Sequence, residues 1–237
     1  MPKRGKRYAT AVESYDGDQF FTLSEAVGLV KENAAAKFDE TIELHVRTGL
    51  DPRHADQQVR GTAMLPHGLG KEVRVAVFAE GDAARAAEEA GADIVGADDL
   101  IAKVADGFTD FDTALAERSM MGKVGKLGRI LGPRGLMPSP RSGTVVDANG
   151  IAKAIDEARK GRVEFRLDRL ALMHVPVGKA SFGADQLEEN IAMLVEEIVK
   201  AKPSGGKGSY VRGLHLTSTM GPSVKLELQS TIAIRAD

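Results

Sequence analysis

Lysines, hydroxyls and glycines carry the chemistry this sequence offers, and it is the chemistry of binding anions. Lys37-Phe38, Lys179-Ala-Ser181 and Thr217-Ser-Thr-Met-Gly221 place cations, hydroxyls and backbone amides at the ends of expected strands. Such groups suit phosphate and ribose 2′-hydroxyl contacts. Ordinary turn chemistry accounts for the last two equally well, and spacing alone reads Phe38 as a core residue beside a solvated lysine. A further basic stretch, Gly122 to Gly143, reads GKVGKLGRILGPRGLMPSPRSG, with Lys123, Lys126, Arg129, Arg134 and Arg141 as its charges. Met121, Val124, Leu127 and Leu131 recur at helical spacing, and Gly132-Pro133 ends the helix. Gly122, Gly125 and Gly128 form a second stripe. A glycine inside a helix costs about 1 kcal/mol against alanine, so three in register suggest a face that something approaches closely: a polyanion, a partner or a tightly packed sheet.

Catalytic patterns are missing. Gly68-Leu-Gly-Lys71 is followed by Glu72, so the Ser or Thr that a phosphate-cradling loop needs for magnesium is absent. No GxGxxG follows a strand, and no GxSxG elbow occurs. His45, His54, His67, His174 and His215 lack HExxH spacing. With no cysteine there is no thiol nucleophile, thiolate metal site or disulfide, which agrees with a cytosolic address. The acids between Glu80 and Glu117 suit a solvated helical face better than an acid–base pair. No enzyme chemistry and no cofactor are expected.

The elements that must position these groups follow from patterning. The 237 residues are 43% hydrophobic, enough for one large or two small cores. No apolar run spans a bilayer, and the basic start MPKRGKRYAT lacks the apolar segment of a signal peptide. Residues 1–20 read as a basic arm and a polar loop. Thr22-Leu-Ser-Glu25 is a capping box for a helix to about Lys37, and Thr41 to Thr48 alternates as a half-exposed strand. A second strand is expected at Val59–Leu65. After Pro66-His-Gly-Leu-Gly70 the grammar changes. Val73–Ala79 is apolar at nearly every position, as a strand covered on both faces would be. Helices capped at Asp82 and Asp147, another at Asp98–Ala105, and strands at Ala92–Val95, Phe111–Ala116 and Thr144–Val146 make a small α/β unit. Beyond Gly161, alternation returns in Val163, Phe165 and Leu167. Then come a strand at Ala171–Val177, a helix from Asp185 to Lys200, a strand at Tyr210–Thr219 and a last strand at Val224–Leu228. The economical account is a split α+β domain, 1–69 and 159–237, with an inserted α/β domain, 70–158. Pro66, Gly68, Gly70 and Gly161 then mark a two-strand hinge.

The net charge is −2, which argues weakly against a nucleic-acid binder. Its distribution says more. From Glu80 to Glu117 only Arg85 and Lys103 offset eleven acids, whereas from Arg118 to Arg169 twelve bases face five acids. The expectation is separate acidic and basic regions, and a local basic face is what phosphate contact needs. Aromatics are only 5%, with no tryptophan, so few bases can be stacked on rings.

Seven segments together resemble the ribosomal protein L-one family of bacteria: AKFDET (36–41), DPRHADQQVRGT with LPHGLGK (51–71), EEAGADIVG (88–96), GKLGRILGPRGLMPSP (125–140), VGKASF (177–182), KPSGGKG (202–208) and STMGPS (218–223). The resemblance runs over nearly the whole chain. It implies a non-catalytic, cytoplasmic protein of the large subunit, monomeric when free and not membrane-bound. Its fold would be a terminal α+β domain holding ribosomal RNA, with an inserted Rossmann-like three-layer α/β domain. It further implies a mobile stalk that contacts and helps release deacylated exit-site tRNA, and repression of the protein's own messenger RNA. The family's RNA contacts map onto Lys37, Phe38, Thr41, Thr219, Met220 and Gly221, and also onto Arg53, Arg166, Asp168, Lys179 and Ser181. Arg129, Arg134 and Arg141 are left as a secondary basic surface, and the glycine stripe is then expected to be close helix packing. The chain departs from the family at Leu167-Asp-Arg-Leu-Ala171, where relatives usually end the turn in glycine. The competing readings are a nucleotide-binding α/β enzyme and a protein-binding module.

Overall fold

The computed structural model describes residues 5–206 and 208–234, except for the side chain of Arg141. In chain order the elements are α1 (Lys6–Glu13), β1 (Phe20–Phe21), α2 (Leu23–Glu32), β2 (Thr41–Thr48), β3 (Arg60–Met64), β4 (Val75–Phe78), α3 (Asp82–Glu89), β5 (Ile94–Gly96), α4 (Asp98–Ala105) and β6 (Thr113–Glu117). They continue with α5 (Met121–Val124), α6 (Gly128–Leu131), β7 (Val145–Val146), α7 (Ile151–Arg159), β8 (Arg162–Arg166), β9 (Leu172–Lys179), α8 (Ala184–Lys200), β10 (Val211–Ser218), β11 (Val224–Leu226) and α9 (Leu228–Ala233). The chain divides into two compact units, one of residues 1–70 and 163–237 and the other of residues 71–162.

The unit made from both ends is built on a five-stranded sheet in the order β1-β11-β10-β2-β9, with β2 lying between β10 and the edge strand β9 and antiparallel to both. Alternation puts Ile42, Leu44 and Val46 of β2 on one face with Met173, Val175, Val177, Leu214 and Leu216. Against them pack Val27 and Val30 of α2 and Leu187, Ile191, Leu194 and Ile198 of α8. The other face of the sheet carries Thr41, Glu43, His45 and Arg47, none of them buried. A separate β3–β8 ribbon closes the same core with Ala63, Val163 and Phe165.

The second unit is a four-stranded parallel sheet, β5-β4-β6-β7. All four residues of β4 are buried, because both faces are covered. Ala76 and Phe78 point into a core with Leu100, Val104, Val124, Leu127 and Leu131. Val75 and Val77 point into another with Ala83, Ala87, Ile151 and Ile155. The apolar run at Val73–Ala79 is thus a strand covered on both faces, and helix, sheet, helix is the three-layer α/β arrangement that the resemblance implies.

Several local expectations are corrected. Residues 6–13 form α1 rather than an arm, and Phe20–Phe21 pairs in parallel with β11. The capping box at Thr22 is made with Glu25, but α2 stops at Glu32: the Ala34 amide turns to the Lys31 carbonyl (3.2 Å) and the Ala36 amide to Glu40 Oε1 (2.9 Å). The last strand ends at Leu226, and α9 follows. Asp147 makes no side-chain cap; it pairs with Arg118 at 3.3 Å. In α3 the cap position is Gly81, and Asp82 is the first helical residue. The glycine stripe is not close packing. A Cβ added at Gly122, Gly125 or Gly128 would meet nothing within 4 Å. These glycines face open space while Val124, Leu127 and Leu131 are buried, and the stretch is broken into short α and 3-10 turns.

Candidate nucleic-acid interface

Three segments meet at one end of the five-stranded sheet: the entry to β2, the exit of β9 and the turn from β10 to β11. A buried carboxylate, which sequence reasoning missed, holds them together. Glu40 is 1% exposed. Its Oε1 accepts the Ala36 amide and its Oε2 the Met220 amide, each at 2.9 Å. Burial opposes its ionisation, but these two amides outweigh that cost and hold its carboxyl below the usual glutamate range. The Glu40 carbonyl accepts the Ala180 amide at 2.8 Å. A lone acid before an apolar strand has no periodic signature. The one signal available was that it interrupts the alternation at the strand's start.

Around this anchor the expected residues interlock. The Thr41 amide donates to Thr219 Oγ1 (3.0 Å), and the Thr219 hydroxyl donates back to the Thr41 carbonyl (3.2 Å). Lys179 Nζ donates to Thr41 Oγ1 at 2.9 Å. Ser181 gives its amide and hydroxyl to the two oxygens of Asp39, at 3.1 and 2.7 Å. Gly221 is needed sterically, since a Cβ there would lie 2.5 Å from the oxygen of buried Ser218. Lys37 is exposed, Phe38 is 55% exposed and Met220 is 62% exposed. The spacing-based reading of Phe38 as a core residue is therefore wrong. Phe38 and Met220 line a cavity of about 1130 Å³ whose rim includes Lys6, Arg7, Lys37 and Glu40. Helix α1 reaches this end through Arg7, whose Nη1 donates to the Ala35 carbonyl at 2.8 Å.

Arg166, Asp168 and Arg53 are not in this cluster. They lie toward the opposite end of β2 and β9, where Arg47 pairs with Leu172. Asp168 Oδ1 accepts the Leu170 and Leu172 amides at 2.8 and 2.7 Å and closes the turn into β9. Arg166 is exposed at the end of β8, and the Arg53 amide donates to Asp51 Oδ1 in the loop beyond β2. The eight residues of β9 separate the two ends by roughly 23 Å of strand.

A match to known proteins covers most of the chain. Residues 30–222 match the model of the Ribosomal protein L1p/L10e family. The chain belongs to that family. Curated relatives named "Large ribosomal subunit protein uL1" are similar along nearly their whole length. The protein from Dehalococcoides mccartyi strain 195 is 53% identical over 234 residues, 99% of each chain. That from Chloroflexus aggregans is 55% identical over 229 residues, 96% of this chain and 97% of its own. That from Chloroflexus aurantiacus (strain J-10-fl) is 54% identical over 228 residues, 96% of each.

This member keeps the turn at 167–171 without the glycine. Ala171 takes the left-handed conformation itself, at φ 62°, and its carbonyl accepts both the amide (3.0 Å) and the hydroxyl (2.9 Å) of Thr48. The secondary basic surface is thinner than its sequence. Lys123 is paired with Glu80 and Asp98 at 2.8 and 2.9 Å. Arg134 donates to the Thr109 hydroxyl. Arg129 is exposed, and the side chain of Arg141 lies outside the described residues. At the expected hinge, Gly68, Gly70 and Gly161 all have positive φ. Pro66–Gly70 is nonetheless tied down: buried Asn190 accepts the His67 amide (3.1 Å) and donates to the Gly68 and Val177 carbonyls. Among the described residues no group of three His, Asp or Glu is placed to hold a metal ion, and no helix is long and apolar enough to cross a membrane.

Proposed function

We propose that this chain is a structural constituent of the large ribosomal subunit and binds large-subunit ribosomal RNA through the unit made from both chain ends. One observation carries the reading. Lys37–Thr41, Lys179–Ser181 and Thr219–Gly221 converge on one sheet end around Glu40, in a chain 53–55% identical to proteins named for that subunit. Recognition would be of RNA shape. Lys37 and Lys179 neutralise phosphates, while the Thr41, Ser181 and Thr219 hydroxyls reach backbone oxygens and 2′-hydroxyls. Exposed Phe38 and Met220 give apolar contact to ribose or an unstacked base. Arg53, Arg166 and Asp168 make a second set of contacts at the far end of the strands. We further propose that the inserted unit moves on its two chain crossings as a stalk, that it meets deacylated exit-site tRNA and assists its release with Arg129, Arg134 and Arg141 nearby, and that the RNA site also binds the protein's own messenger RNA.

Purification of large subunits at low and high salt is the direct test, and the chain should co-sediment with them. With about four phosphates neutralised, log affinity for ribosomal RNA falls against log salt with a slope of roughly −3 to −4. RNA binding without salt dependence sinks the reading. Met220→Asp sets an acid among phosphates and should weaken binding by about tenfold or more. Unchanged affinity removes that turn from the site.

A further inference from the structure

Three histidines lie side by side across the outer face of the five-stranded sheet. His45 in β2, between β9 and β10, is in register with His174 on β9 and with His215 on β10. The imidazoles of His45 and His174 meet edge to face, with Nδ1 2.7 Å from Nδ1. Their side chains are 26% and 49% exposed, and His215 is half-buried. Charges of both signs surround the row. Glu43 and Arg47 lie on the same strand, Asp168 is 3.7 Å from His174, and Lys225 is opposite His215 on β11.

The geometry limits how many protons the row holds. An Nδ1···Nδ1 hydrogen bond needs one N–H and one lone pair. The pair can therefore be neutral or singly charged, but two imidazolium rings would bring two N–H groups head to head. Burial, and then the neighbouring His174 and His215, lower the proton affinity of His45, although Glu43 pulls the other way. Burial, with Lys225 and Arg47, does the same for His215. An anion laid over the row removes this restriction. Each ring can swing to donate to it, and protons enter from solvent.

The position of the row supplies the anion. On the reading proposed above, RNA contacts occupy both ends of β2 and β9: Thr41, Lys179 and Thr219 at one, Arg166 and Asp168 at the other. A single RNA segment that touches both ends passes over the face between them, and the histidines stand in the middle of it. We infer that His45, His174 and His215 form a proton-linked phosphate contact, so that RNA binding to this sheet face takes up protons. The inference rests on the RNA-binding reading, but it fails separately from it.

The test uses the full chain and large-subunit ribosomal RNA at fixed salt. Uptake of about one proton makes affinity rise about fivefold or more from near pH 7.5 to near pH 5.8. Replacing all three histidines (His45→Gln, His174→Gln, His215→Gln) abolishes the gain, and His54→Gln in the exposed loop beyond β2 retains it. If the unsubstituted chain binds RNA equally at both pH values, or the triple variant keeps the gain, the proton-linked contact is wrong and the RNA-binding reading stands. No RNA binding at either pH overturns the reading itself. Should the triple variant fail to fold, titration calorimetry of the unsubstituted chain in two buffers of different ionisation enthalpy counts the protons directly. A count of zero near pH 6 overturns the inference.

Discussion

Glu40 shows what a single residue does here and why it was hidden. Its two oxygens accept amides from Ala36 and Met220, so it ties the connection between α2 and β2 to the β10–β11 turn. Glu40→Ala removes the acceptor of two part-buried amides and should cost about 1–2 kcal/mol in urea unfolding. Its pH dependence has a definite sign. The folded carboxyl lies below its unfolded value, so its contribution is complete above about pH 4.3 and is lost as pH falls through the folded value. Glu40→Gln should therefore be less stable at neutral pH yet lose less on acidification, as urea unfolding at several pH values reads out. Ala171 makes the complementary case. A non-glycine residue in the left-handed region pays about 1–2 kcal/mol, so Ala171→Gly should raise the melting temperature by a few degrees without changing the Asp168 turn. Lysine, hydroxyl and glycine types marked Lys179–Ser181 and Thr217–Gly221 in the sequence no more strongly than ordinary turn chemistry did, and Thr41 entered only through the family resemblance. Phe38 stayed hidden, because an apolar residue between helix and strand reads as core until Glu40 turns the chain outward.

At the scale of elements, alternation was the dependable signal and glycine spacing was not. Ile42, Leu44 and Val46 placed the core face of β2, and the unbroken run at Val75–Phe78 marked a strand covered on both sides. Helix α1 escaped notice because none of its residues is buried, so no apolar stripe records it. The stripe of Gly122, Gly125 and Gly128 looked like a packing face and is open space. That difference is measurable. Gly125→Ala adds a methyl group that meets nothing in a residue already at φ −54° and ψ −30°, so it should stabilise by about 1 kcal/mol. A drop in melting temperature would mean that the face is packed after all. Asn190 behaves oppositely. It is fully buried and satisfies three backbone groups of neighbouring segments, so Asn190→Ala should cost about 3 kcal/mol and loosen Pro66–Gly70, as faster amide exchange there would show.

Across the whole molecule, folding offsets part of the charge segregation that the sequence displays. Lys123 reaches Glu80 and Asp98, Arg159 reaches Asp93, and Arg74 and Lys71 reach Asp110 and Asp112. Bases distant in sequence neutralise acids of the Glu80–Glu117 run inside the unit of residues 71–162. Each such surface pair contributes about 0–1 kcal/mol, so their consequence is electrostatic rather than structural. Lys123 and Arg159 are thereby taken out of the basic region between Arg118 and Arg169, and on the proposed reading the main RNA affinity resides in the other unit. This leads to a division experiment. Residues 71–162 have their own two-sided core around β4 and β6 and should fold alone, with cooperative unfolding and weak, strongly salt-dependent RNA binding. Residues 1–70 joined by a short glycine linker to 163–237 keep the complete core of the five-stranded sheet. They should hold ribosomal RNA within about threefold of the full chain, because the convergent residues at both ends of β2 and β9 all lie in this part. A folded protein of this kind that loses RNA binding would move the site to the inserted unit, where Arg129 is exposed.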